Sequence, residues 1–153
     1  MRKLLDEELI ELGIDLPDWE AAVGYGSELL QRKGYVKEGY KERLIEREKT
    51  YPTGLQGKSI GIAVPHTSAD YTIRPSICIL IPIRPVRFHA MGEKDLTVDV
   101  QLIIQLAIEG DGMQLKLLRS IMQLLRDDEM LQRLLKSRDK KELLELLTPV
   151  LGD

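Results

Sequence analysis

The sequence predicts an α/β protein, a single-domain sandwich in which a central mixed β-sheet is flanked by helices on both faces. Two observations carry this. Helical periodicity fills residues 17–49 and returns over the last third of the chain, while the middle holds apolar runs of strand character at 60–64, 76–81 and 98–107. The length of 153 residues suits one domain with a real core, and 43% hydrophobic with 31% charged residues is ordinary globular composition.

The elements follow in order. Residues 17–33 read as a helix because Trp19, Ala22, Val23, Gly26, Leu29 and Leu30 fall on one face, and Gly34 stands just beyond as a stop signal. A second helix covers 37–49 with Tyr40, Leu44 and Ile45 inward. Pro52, Gly54 and Gly57 then break all periodicity, so 51–58 reads as a loop. Ile60–Val64 is a short apolar strand that must stop at Pro65, which has no N–H for the ladder. Ser76–Ile81 is continuously apolar, as expected of a strand buried on both faces.

Residues 85–92 read as a turn carrying His89 on the surface. From Val98 onward, Val98, Val100, Leu102, Ile104 and Leu106 alternate with Asp99, Gln101, Ile103, Gln105 and Ala107, which predicts one buried face for the first set. Leu115, Leu118, Ile121, Met122 and Leu125 form a helical stripe, and Met130, Leu131, Leu134 and Leu135 form another. Asp139 followed by Glu142 resembles a capping box opening a last helix that contains Leu143, Leu144, Leu146 and Leu147.

Composition narrows the function. The net charge is −3 with no basic stretch, which points away from nucleic acid. Cys78 is the only cysteine, so no internal disulfide can form, as expected in a reducing compartment. No apolar run approaches the roughly 20 residues that span a bilayer. The N-terminus turns acidic at Asp6, Glu7 and Glu8 before a signal core can form. A cytoplasmic protein without membrane insertion is expected. The GxxxxGK[ST] phosphate cradle is absent, and two histidines without HExxH or CxxC spacing define no metal site.

His66 is the leading candidate for chemistry. It follows a strand and a proline, which fixes its position, and a neutral imidazole is a nucleophile near neutral pH. The competing reading is a structural histidine. Thr67 supplies a hydroxyl beside it that can orient the ring or contact an anion. In Glu46-Arg47-Glu48-Lys49, either all four form a solvated face or Arg47 turns inward as an anion-binding fork. Cys78 reads as a buried apolar residue.

Leu44-Ile45-Glu46-Arg47-Glu48-Lys49, then Pro52-Thr53-Gly54, then Gly61-Ile62-Ala63-Val64-Pro65-His66 resembles the enzyme IIA domain of the fructose–mannitol family of the bacterial phosphoenolpyruvate-dependent sugar phosphotransferase system. Gly34-Tyr35-Val36, Tyr40 and the late Glu142–Leu147 helix extend the likeness over nearly the whole chain, 1–153. The resemblance implies the mannitol-type enzyme IIA fold and a phosphocarrier that needs no cofactor and no metal. The histidine matching His66 would take a phosphoryl group from the carrier protein HPr. It would pass the group to a cysteine of enzyme IIB, and so indirectly serve membrane-bound enzyme IIC. The arginine matching Arg47 would hold the phosphoryl charge.

Two departures refine the resemblance. Many members carry a second histidine at the start of the helix after the last strand, where Gln114 stands here. Glutamine can donate a hydrogen bond but cannot carry a proton. The Arg47–His66 segment is also a few residues longer than in mannitol-type domains. Both features resemble the galactitol-type branch, which implies galactitol or a related polyol. The rival within the family is a nitrogen-type regulatory phosphorelay protein.

Overall fold

The computed structural model describes residues 4–152, so Arg2 and Lys3 at the N-terminus lie outside the described residues. The strands are β1 (Ile10–Ile14), β2 (Gly54–Gln56), β3 (Gly61–Ala63), β4 (Ser76–Pro82), β5 (Val86–Ala90) and β6 (Glu93–Ala107). The helices are α1 (Trp19–Arg32), α2 (Tyr40–Thr50), α3 (Asp111–Arg126), α4 (Asp128–Leu135) and α5 (Lys140–Leu151). The strands make one mixed sheet in the order β1-β4-β6-β3-β2-β5. β6 organises it, running antiparallel to β4 and β5 and parallel to β3.

The sheet is covered on both faces, as the sequence predicts. Ile77 and Ile79 of β4 pack with α3, α4 and α5 through Ile121, Leu131, Leu143 and Leu147. Cys78 and Leu80 point the other way, into a second core with Val23, Leu30, Tyr40 and Leu44 of α1 and α2. A strand buried on both faces needs its continuous apolar run.

Helix ends follow the local chemistry. Asp18 caps α1 by accepting from the Ala21 N–H at 2.8 Å, and Gly34 lies just beyond it at φ +87°. α2 begins only at Tyr40, because Gly39 sits at φ +97°. Asp139 caps α5 through the Glu142 N–H at 2.9 Å. The reciprocal bond differs from the expected box, because the Glu142 carboxylate accepts from Arg138 rather than from the cap residue.

Several expectations are corrected. β1 and β2 were not visible in the pattern: β1 is an acidic-flanked edge strand carrying Gly13 at φ +68°, and β2 is a three-residue strand inside the expected 51–58 loop. His89 stands on strand β5, not in a turn. β6 reaches back to Glu93, whose polar start is held by backbone pairing to β5 and not by apolar alternation.

The face assignment within β6 also changes. Val98 and Val100 join the α1–α2 core, whereas Leu102, Ile104 and Leu106 join the other. The register with β3 slips between the Gly61–Val100 and Ile62–Leu102 pairs, so Gln101 is the extra residue of a bulge and the face inverts there. In α3 the buried stripe is Leu117, Ile121, Leu124 and Leu125, and Leu115 is 53% exposed.

Candidate functional site

The site lies where the chain leaves the sheet after β3. Gly61 lets β3 approach β6 closely: a Cβ there would fall 2.6 Å from Val98 Cγ1 and closer still to the Asp99 carbonyl oxygen. Pairing continues past the strand, because the Leu106 N–H donates to the Pro65 carbonyl at 2.9 Å. The Leu106 carbonyl in turn accepts from the Tyr40 hydroxyl at 2.9 Å, which ties the start of α2 to the same point.

His66 follows at once and is only 6% exposed. Its Nδ1 lies 2.8 Å from the Val64 carbonyl oxygen. A carbonyl only accepts, so Nδ1 carries the proton, and the lone pair of the neutral ring is on Nε2. Nε2 makes no hydrogen bond among the described residues. Burial holds the imidazole pKa below its ordinary 6.5. The Val64 bond opposes this, and the positive charge of Arg47 adds to it. The ring is therefore neutral at neutral pH.

Arg47 comes from the last turn of α2. It is half-buried, with its guanidinium 5.3 Å from the centroid of the Tyr51 ring. Its acidic neighbours are engaged elsewhere: Glu46 pairs with Arg43 at 3.1 Å, and Glu48 turns inward. Arg47 thus has no carboxylate partner among the described residues, and its field reaches His66. Within the charged run Glu46 and Lys49 are exposed, Arg47 is half-buried and Glu48 is buried.

Glu48 is the residue that sequence reasoning missed. It is 4% exposed, and its carboxylate accepts from the Thr53 N–H at 2.7 Å and from the Thr53 hydroxyl at 3.0 Å. Thr53 Oγ1 accepts in turn from the Val64 N–H at 3.1 Å. Burial pushes the Glu48 carboxyl up to about 7, against the Thr53 hydrogen bonds and the Arg47 charge. The signal was available: Tyr40, Leu44 and Glu48 recur every four residues on the buried stripe of α2.

The other candidates are less central. Thr67 is buried at 4% exposure, but the group that orients the ring is the Val64 carbonyl, not the Thr67 hydroxyl. Gln114 sits in the first turn of α3, half-buried, and makes no side-chain hydrogen bond to His66 among the described residues. His89 is exposed on β5, its Nδ1 2.8 Å from the Lys94 carbonyl oxygen. Burial pushes the Cys78 thiol up to about 12, so it is no thiolate nucleophile. No cluster of metal-ligating side chains exists among the described residues, and no helix among them is long and apolar enough to cross a membrane.

The chain belongs to the family described as phosphoenolpyruvate-dependent sugar phosphotransferase system, EIIA 2, whose model matches residues 3–149, and it is thereby a transferase component of that system. The galactitol-specific EIIA component of Escherichia coli K12 is 34% identical over 116 residues, 76% of each chain. The mannitol-specific EIICBA component of the same strain is 31% identical over 94% of this chain, which spans 22% of that larger protein. The crystal structure of the mannitol IIA of E. coli superposes with a TM-score of 0.76 at 31% identity, covering 94% of this chain and 98% of that one. A complex of the E. coli mannitol enzyme IIA with phosphorylated enzyme IIB matches at TM-score 0.76 and 30% identity, covering 95% and 97%. The α/β fold is that of mannitol-type EIIA proteins.

Proposed function

We propose that the chain is a phosphocarrier of a sugar phosphotransferase system, in which His66 accepts a phosphoryl group from phospho-HPr and hands it to a cysteine of enzyme IIB. The supporting observation is the fixed tautomer: Nδ1–H is committed to the Val64 carbonyl, so the lone pair is presented on Nε2 of a buried neutral ring. The galactitol-specific relatives, together with Gln114 and the long Arg47–His66 segment, support galactitol or a related polyol as the transported sugar.

The transfer needs no proton movement at His66. The Nε2 lone pair forms the new N–P bond as the donor's N–P bond breaks and its electron pair returns to the donor ring. The proton stays on Nδ1, still donated to the Val64 carbonyl, so the phosphorylated ring is cationic and a good leaving group. A thiolate of enzyme IIB then forms an S–P bond, and the N–P electron pair returns to Nε2 in its starting tautomer. Arg47 neutralises phosphoryl charge throughout, and catalysis is otherwise positioning. Thr67 offers a further anion contact, and Gln114 a hydrogen-bond donor where a second histidine is usual.

The test is labelling by phosphoenolpyruvate, enzyme I and HPr. Acid-labile, base-stable phosphate is expected on the wild type and on His66-retaining variants, and none on His66→Ala. Labelling that persists in His66→Ala overturns the assignment.

A further inference from the structure

The phosphocarrier reading uses Arg47 and His66 but leaves open what sets the distance between them. They sit on different elements, α2 and the segment after β3, and positioning is most of what phosphoryl transfer asks of a protein. From Glu48, the residue after Arg47, a series of hydrogen bonds joined through the Val64 backbone leads to His66. The Glu48 carboxylate receives both the N–H and the hydroxyl of Thr53, at 2.7 and 3.0 Å. The Thr53 oxygen receives the Val64 N–H at 3.1 Å. The Val64 carbonyl receives the His66 Nδ1–H at 2.8 Å. Val64 is thus held from one side by Thr53, which is itself held by the residue next to Arg47, and holds the nucleophile on its other side.

We infer that Glu48 is a positioning residue for phosphoryl transfer: through Thr53 and Val64, its carboxylate fixes the Arg47 end of α2 against the strand end that carries the His66 ring. Both Glu48 oxygens serve as acceptors for Thr53, one for its N–H and one for its hydroxyl. Thr53 Oγ1 already accepts from Val64, so its own hydrogen needs an acceptor, and Glu48 supplies it. A carboxylate this deeply buried is a costly way to hold a loop, since an apolar contact does that without desolvating a charge. Its retention beside an unpaired arginine, three hydrogen bonds from the reacting imidazole, marks a demand for geometry. Arg47 is the charged group acting on Glu48 among the described residues, and the carboxylate anchors the helix end that presents it.

The inference rests on the phosphocarrier reading, and its test separates the two. Single-turnover transfer from phospho-HPr would be followed at increasing acceptor concentration for wild type, Glu48→Gln, Thr53→Val and Thr53→Ser. Glu48→Gln and Thr53→Val should lower the maximal rate constant about ten- to hundredfold with half-saturation unchanged, as expected when a reacting group is misplaced. Thr53→Ser keeps the hydroxyl and should stay within about twofold of wild type, the range of near-neutral changes. The His66 Nδ1–H signal in 15N NMR, sharp in wild type, should broaden in Glu48→Gln and not in Thr53→Ser. Wild-type transfer rates in folded Glu48→Gln and Thr53→Val overturn the inference alone. A wild type that takes no phosphate overturns the phosphocarrier reading and the inference with it. Should Glu48→Gln not fold, the contrast between Thr53→Val and Thr53→Ser decides the matter.

Discussion

The two histidines make the same first hydrogen bond. Each presents Nδ1 to a backbone carbonyl at 2.8 Å, Val64 for His66 and Lys94 for His89. Everything else differs. His89 is exposed on the β5–β6 ribbon, where the buried work is done by Phe88 and Val86 opposite Val98 and Val100. His66 is buried, feels an unpaired Arg47, and hangs from a residue whose N–H is also held. A carbonyl-bound Nδ1 therefore fixes a tautomer in both places, but only His66 adds desolvation and a nearby uncommitted cation.

The largest expected break of this contrast is in the ribbon. Phe88 is fully buried, so Phe88→Ala should destabilise by about 3–5 kcal/mol in urea titrations. The phosphate taken up by the folded fraction should not change. Loss of labelling beyond the unfolded fraction would mean the ribbon takes part in transfer.

Next in size is the pH dependence that Glu48 imposes. Its folded pKa, about 7, is raised above the ordinary 4.5, so the folded state binds more protons across that window. Stability contributed by Glu48 therefore falls as pH rises from about 4.5 through 7, by about 3 kcal/mol in total. His66 acts in the opposite sense, because its lowered pKa makes stability fall as pH drops through 6.5. Glu48→Gln removes only the first slope, so its stability relative to wild type should improve between pH 5 and pH 8. An equal difference at both pH values would contradict the buried-carboxylate account.

Arg47→Ala should slow transfer by about a hundredfold, the lower end of the scale of losing one charge-stabilising donor, without lowering the melting temperature. Unchanged rates would return Arg47 to a solvated role. The smallest effect belongs to His89→Ala, whose stability should stay within about 0.5 kcal/mol and whose labelling should match wild type.

How much of this was legible in the sequence follows from how each element is stabilised. β4 declared itself because both of its faces are buried, and the Val64-Pro65-His66 junction because proline ends a ladder. The cap of α5 and the glycine stop after α1 were also readable, since they act over a few residues. β1 was not, because its partner β4 lies far along the chain, and β2 and β5, though each pairs with the next strand, are too short at three and five residues for a pattern to stand out. The alternation in β6 misled for a specific reason: a bulge at Gln101 keeps the apolar spacing while exchanging the faces. At the site, His66 and Arg47 were visible as residue types. Glu48 was hidden because a carboxylate in a charged run reads as solvated until its place on the Tyr40–Leu44 stripe is counted.

The central claim is that His66 Nε2 carries the phosphate while Nδ1–H stays on Val64. The most direct measurement is 15N NMR of the protein phosphorylated by phosphoenolpyruvate, enzyme I and HPr. The account predicts phosphorus coupling at Nε2 of His66, with Nδ1 still protonated and His89 unchanged. Phosphorus coupling at Nδ1 of His66, or at either nitrogen of His89, would contradict it.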